Sequence, residues 1–240
     1  MEHIVSRFDK DVKRIEKLLQ KMAGLAVDQL EMATRALETH DTTLSQQVAE
    51  GDKEINALEA RIDELAVRLI ALRQPMAEDL RHVVSTLKIS TNIERFADYA
   101  KTMAIRVPAL ASGKPVDSAI KTIRRMSNTV ASMMTDALQS FIERDLVLAE
   151  ATGKRDLNVD QMNSALFREM LTYMMENPRN IEASTHLLFI AKNLERAGDQ
   201  VCNITEQVSF LVTGEIFENR GNGGPKTKGI GDESTAKHRH

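Results

Sequence analysis

A seven-residue block occurs twice in this chain and ties its two halves together. Asn92-Ile-Glu-Arg-Phe-Ala-Asp98 returns as Asn193-Leu-Glu-Arg-Ala-Gly-Asp199, a displacement of 101 residues. An apolar stripe runs through the first copy at Ile89, Ile93, Phe96, Ala100, Met103 and Val107. The same displacement lands on Ile190, Leu194, Ala197, Val201, Ile204 and Val208. Spacings that alternate between four and three residues belong to a helix packed along the seam of a bundle.

The likeness extends upstream. Asp52-Lys-Glu-Ile-Asn56-Ala-Leu58 matches Asp156-Leu-Asn-Val-Asp160-Gln-Met162, and Leu19, Met22, Leu30 and Leu37 fall on Ile123, Met126, Met134 and Phe141, both at 104 residues. Gly and Pro punctuate the rest. Pro108, Gly113 and Pro115 mark the centre, while Pro75 and Pro178 fall late in each half. His40-Asp41-Thr42-Thr43 and Glu143-Arg144-Asp145 supply early breaks with residues suited to helix capping. The pattern predicts six long helices, over 5–39, 43–73, 77–107, 116–143, 146–176 and 180–212. The fold expected is all-α, two tandem and sequence-related three-helix bundles spanning 1–110 and 111–214. Six of the eleven glycines lie at or after Gly214, and residues 215–240 lack periodicity and read as a disordered tail.

Composition narrows the function. Aromatic residues make up 4% of the chain and Trp is absent, which agrees with helix packing. The net charge of −3 gives no general attraction to nucleic acid, so no nucleic-acid partner is expected. Cys202 is the only cysteine, which excludes an internal disulfide. The first residues lack the basic-then-apolar pattern of a signal peptide, and no run has the ~18 apolar residues of a membrane span. A cytoplasmic protein is expected, meeting membranes through partners or an amphipathic face. No Ser/His/Asp set, Gly-rich phosphate loop or Cys-x-x-Cys motif appears, so no enzyme is expected.

Acidic pairs carry the candidate chemistry. Carboxylates at i and i+4 share a helix face, their Cβ atoms ~5–6 Å apart. Glu94/Asp98, Glu195/Asp199 and Asp156/Asp160 are such pairs, and Asp52/Asn56 is one with an amide in place of an acid. One pair alone means little, because 35 acids in 240 positions give about five by chance and surface helices tolerate them. Position strengthens the case. If Pro75 and Pro178 sit in tight turns, equal distances from the turn mean equal heights. Asp52 and Asn56 lie 23 and 19 residues before Pro75, and Glu94 and Asp98 lie 19 and 23 after it. Asp156 and Asp160 lie 22 and 18 before Pro178, and Glu195 and Asp199 lie 17 and 21 after it. Glu59/Asp63 is too close to its turn, which leaves Glu59 as a peripheral candidate.

Each half thus places two acidic pairs side by side, and such a group needs a counter-charge. All-oxygen ligation suits Mg²⁺, Mn²⁺, Ca²⁺ or oxygen-ligated iron. In heptad phase these residues fall off the core seam, so the metal would sit in an outer groove. Arg95 and Arg196 either balance charge from the side or pair with a neighbouring helix. The i, i+3 pair Asp79/His82 resembles a di-iron spacing but lies 12 residues from Glu94, and the second half offers Glu182/His186 at i, i+4 instead. His82 and His186 are read as structural or surface residues.

Gln74-Pro-Met-Ala-Glu-Asp-Leu-Arg81, the two Glu-Arg-x-x-Asp blocks and Leu171-Thr-Tyr-Met-Met-Glu-Asn-Pro178 resemble the PhoU family of accessory regulators of bacterial phosphate-specific transport. The likeness covers residues 1–214. The family block ends Ile-Gly-Asp-His; here Phe96-Ala97 and Tyr99 differ in the first copy, and Ala197 and Gln200 in the second. The resemblance implies paired three-helix bundles, a homodimer, and multinuclear clusters of divalent or trivalent metal (iron, Mg, Mn or Zn) on the repeated acids. It implies a negative regulator of the phosphate-starvation response, an adaptor between the phosphate ABC transporter and a sensor histidine kinase. The alternatives are a metal-dependent hydrolase or oxidase working in the acidic grooves, and a scaffold whose acids hold nothing.

Overall fold

The computed structural model describes residues 2–110 and 116–215. All but the first residue of the tail expected over 215–240, and the Gly113–Pro115 part of the central break, lie outside the described residues. Among the described residues eight α-helices follow one another: α1 (Glu2–Thr39), α2 (Thr42–Arg73), α3 (Glu78–Ile105), α4 (Val107–Leu110), α5 (Asp117–Glu143), α6 (Leu146–Lys154), α7 (Asp156–Glu176) and α8 (Ile181–Thr213). Among the described residues there is no strand. The six long helices are α1, α2, α3, α5, the α6–α7 pair and α8.

The breaks repeat as the sequence does. Asp41 caps α2, accepting hydrogen bonds from the Thr43 and Leu44 amides at 2.9 and 3.0 Å. Asp145, 104 residues later, caps α6 through the Val147 and Leu148 amides at the same two distances. Ahead of each cap stands a residue in the left-handed region, His40 (φ 54°) and Arg144 (φ 56°). The amides of Asp41 and Asp145 then reach back to the carbonyls of Ala36 and Ser140, at 3.0 and 2.9 Å. Together these contacts satisfy backbone groups that a helix end leaves unpaired.

Two boundaries differ from the sequence expectation. The single helix expected over 146–176 is interrupted at Arg155, whose amide bonds the Thr152 carbonyl (3.1 Å) in a tighter turn. Gly153, a weak helix former, precedes the break. The Arg155 guanidinium is drawn aside to Asp136 on α5, 2.5 Å away. The second difference is at the expected end at 107: α3 stops at Ile105, and a separate single turn, α4, runs from Val107 to Leu110. Pro108 sits in its first turn, where its missing N–H costs no helix bond.

Within the first half α1, α2 and α3 each pack on the other two; in the second, α5 packs on α6, α7 and α8. The halves are joined by α3 lying along α8 and α1 along α5. Both joints run antiparallel. Lys88 stands over the Phe210 ring, Asn203 donates to Asn92 (3.3 Å), and the Arg106 guanidinium lies over Phe189. Moving up one helix therefore moves down the other. On α1 and α5 the Thr34 and Ser127 hydroxyls meet at 2.7 Å, and Arg124 binds Glu38 at 2.9 Å. The two stripes that define the repeat, Ile89 to Val107 and Ile190 to Val208, are buried throughout. Each Leu- or Ile-sized side chain contributes roughly 1.5–3 kcal/mol of hydrophobic stabilisation.

Candidate metal centre

Because α2 and α3 leave the Pro75 turn antiparallel, Asp52 and Glu94/Asp98 arrive at one level; α7 and α8 do the same with Asp156/Asp160 and Glu195/Asp199. Each predicted set therefore comes within electrostatic reach across the groove between its two helices, but the two grooves are not equivalent.

In the first groove Asp52 is buried, with 4% of its surface exposed, which places it deeper than an outer groove face. The Lys101 ammonium donates to its Oδ2 at 2.6 Å and stands 3.7 Å from Asp98 Oδ1. Asn56 is exposed and its amide also donates to Asp52 Oδ2, at 3.3 Å. Asp52 Oδ1 is buried without a hydrogen-bond partner. Burial raises the Glu94 pKa above the usual carboxylate value, with Asp98, Glu59 and Asp52 adding repulsion and Arg95 opposing it. Glu59 is thus close enough to act on Glu94, and it accepts a hydrogen bond from Thr91 at 3.0 Å. The hydrogen bond to Asp52 is the main cause that raises the Lys101 pKa, so the ammonium stays charged.

The second groove has Cys202 where the first has Lys101, since 202 is 101 plus the repeat displacement. Its thiol faces the Gly153 carbonyl (3.8 Å), and burial pushes it well above the ordinary thiol range, helped by Asp156, Asp199 and Glu206. No cation therefore takes the place of Lys101. Burial carries Asp156 up to about 6, with Asp160, Asp199 and Glu195 adding repulsion and the Cys202 thiol opposing it. Asp160 and Asp199 are also raised, first by burial and then by Glu195, with Lys192 opposing both and Arg196 opposing in Asp199. Lys192 pairs with Glu195 at the rim, while Asp156 Oδ1 is buried with no hydrogen bond. Gly198 makes room for that oxygen: a Cβ at 198 would lie 2.5 Å from Asp156 Oδ1. Its counterpart in the first repeat is Ala97.

Among the described residues no three His, Cys, Asp or Glu side chains converge on one point as metal ligands do. Mutually repelling carboxylates stand apart, and a cation would draw them together. The second donor set fits a hard cation: it is all oxygen, excess negative and supplies an orphaned buried carboxylate oxygen. The first groove already holds a positive charge between Asp52 and Asp98. Lys101 was legible in the sequence as the counterpart of Cys202 and the residue three beyond Asp98, though neither relation marks it as a partner for Asp52. Arg95 and Arg196 are exposed and act from the side. His82 is buried against the Phe141 ring, 3.3 Å from Glu16 and remote from the grooves.

Fold and grooves define the class: a duplicated all-α protein with an acidic groove in each of two three-helix repeats. The PhoU domain matches it twice, over residues 19–107 and 123–208. This chain belongs to the PhoU family. It is 42% identical over 214 residues to the phosphate-specific transport system accessory protein PhoU homolog of Caulobacter vibrioides, covering 89% of this chain and 93% of that protein. The homolog of the same name from Zymomonas mobilis is 40% identical, over 92% and 93% of the two chains. The crystal structure of PhoU from Pseudomonas aeruginosa superposes with a TM-score of 0.82 at 36% identity, over 86% of this chain and 99% of that one. The phosphate transport system regulatory protein PhoU from Streptococcus pneumoniae gives 0.82 at 27% identity, over 88% and 99%.

Proposed function

We propose that this chain is a regulatory accessory protein of a phosphate-specific transport system, a non-enzymatic adaptor that represses the phosphate-starvation response when phosphate is ample. One observation carries the reading: both repeats match the family, and relatives that match about nine-tenths of the chain are accessory proteins of that transport system. The partners are the cytoplasmic side of the phosphate ABC transporter and the sensor histidine kinase of the response. No described helix is long and apolar enough to cross a membrane, which agrees with a cytoplasmic protein recruited through partners. Phe167, Leu171 and Met175 form an exposed apolar stripe at i, i+4 spacing on α7, and this supports contact with other chains, a homodimer among them.

Metal belongs to the second groove in this reading, held by Asp156, Asp160, Glu195 and Asp199, with Mg²⁺, Mn²⁺, iron or Zn²⁺ as the ion. Bound there, it supplies positive charge that ties α7 to α8 and fixes the helix faces offered to a partner. Deleting the gene tests the regulatory role. Phosphate-scavenging genes are expected to stay on in phosphate-rich medium, and intact repression in the deletion strain would overturn the proposal.

A further inference from the structure

The two grooves descend from one repeated unit, yet each balances its acids differently. In the first, the Lys101 ammonium lies between the buried Asp52 and the half-exposed Asp98, on the helix that carries Glu94. That is the point from which an ion would reach acids of both α2 and α3. In the second, the same repeat position is Cys202, and the neighbouring lysine, Lys192, is at the rim and engaged with Glu195. We propose that Lys101 is a resident substitute for metal in the first repeat, so that this chain binds hard cations in its second groove only. The inference rests on the metal reading of the second groove.

Three observations carry it. The Lys101–Asp52 bond at 2.6 Å has the length of a strong charge-assisted hydrogen bond, and the carboxylate that receives it is almost fully buried. A divalent ion entering there must displace a tethered cation from its buried partner, whereas in the second groove Lys192 engages Glu195 from the rim and no ammonium is bonded to Asp156. Second, Asn56 replaces the acid found at Asp160, so the first set carries one formal negative charge fewer before Lys101 is counted. Third, Ala97 carries the methyl group that Gly198 lacks, and in the second groove that space is taken by Asp156 Oδ1. Charge, ligand number and room all disfavour an ion in the first groove. Asp52 Oδ1 remains buried and unbonded, so removing the ammonium should expose a latent site.

Mn²⁺ binding to the purified, metal-stripped full-length protein tests this, read as bound metal per chain after equilibrium dialysis and elemental analysis. The wild type is expected to bind Mn²⁺, and the Asp156→Asn/Asp199→Asn variant to lose essentially all of it. Adding Lys101→Met to that double variant is expected to restore binding in the first groove, and Mn²⁺ should then raise its Tm. Lys101→Gln provides the same comparison if the methionine variant folds poorly by far-UV circular dichroism. Metal retained by Asp156→Asn/Asp199→Asn, with Lys101 intact, would overturn the proposal while leaving metal binding itself standing. So would failure of both Lys101 variants to add metal in a protein whose second groove binds. No Mn²⁺ on any variant, wild type included, would overturn both this inference and the metal reading beneath it.

Discussion

At the residue scale the chemistry turns on two positions that the repeat makes equivalent, Lys101 and Cys202. Lys101 neutralises a buried carboxylate from the neighbouring helix. Removing one partner of a buried ion pair leaves the other uncompensated, at a cost of roughly 3–5 kcal/mol when both are fully buried. Lys101 keeps 32% of its side chain exposed, so water shares the load and Lys101→Met should destabilise the metal-free protein by about 2 kcal/mol. A shift in the urea midpoint at constant slope would register it. In the second groove the sign reverses. Asp156 has a folded pKa of about 6, above the ordinary 3.8, so between these values the folded state binds more protons than the unfolded. Stability contributed by this group therefore falls as pH rises from about 4 to about 6 and levels off above. In EDTA, Tm should decline across that window, and Asp156→Asn should flatten the decline. Gly198→Ala would press a methyl group on the same carboxylate; overpacking of this kind costs about 1–3 kcal/mol, visible by thermal melting.

At the element scale the duplication is written into helix ends as firmly as into helix faces. Asp41 and Asp145 cap through the same two amides, each after a residue forced to positive φ. Replacing either Asp with Ala should cost about 1 kcal/mol, as loss of a helix N-cap usually does. His40→Gly and Arg144→Gly should each stabilise by roughly 0.5–1 kcal/mol, because glycine adopts that backbone without strain. Denaturant melts of the four variants would check both signs. These ends were legible because caps are local: a short polar side chain and a break in the apolar period suffice. The interruption at Arg155 was not, because it couples a weak helix former to the pull of Asp136 on a different helix. The counterpart of α6–α7 in the first half, α2, runs unbroken from Thr42 to Arg73.

At the scale of the whole molecule the repeats are neighbours that share walls. The α3–α8 and α1–α5 joints bury residues from both halves, including the Thr34–Ser127 hydroxyl pair. Residues 1–215 should therefore unfold in one cooperative transition, with calorimetric and van't Hoff enthalpies equal. Two resolved calorimetric transitions would show instead that each half is stable alone.

The sequence by itself determined the helical class, the duplication and most boundaries, and it brought the chosen acidic pairs level, because each follows from periodicity, capping and distance along a helix from a turn; Glu59, set aside on that count, nonetheless lies near enough to act on Glu94. It also singled out Asp52, Glu94, Asp98, Asp156, Asp160, Glu195 and Asp199 as groups that would meet across helices, along with the weaker Asn56. Only the tertiary structure decided what balances them. Counter-charge depends on a few ångströms between side chains of different helices, which spacing along one helix does not encode. That is why Lys101 reaches Asp52 while Asp156, its repeat equivalent, is left with an unpaired oxygen against Gly198.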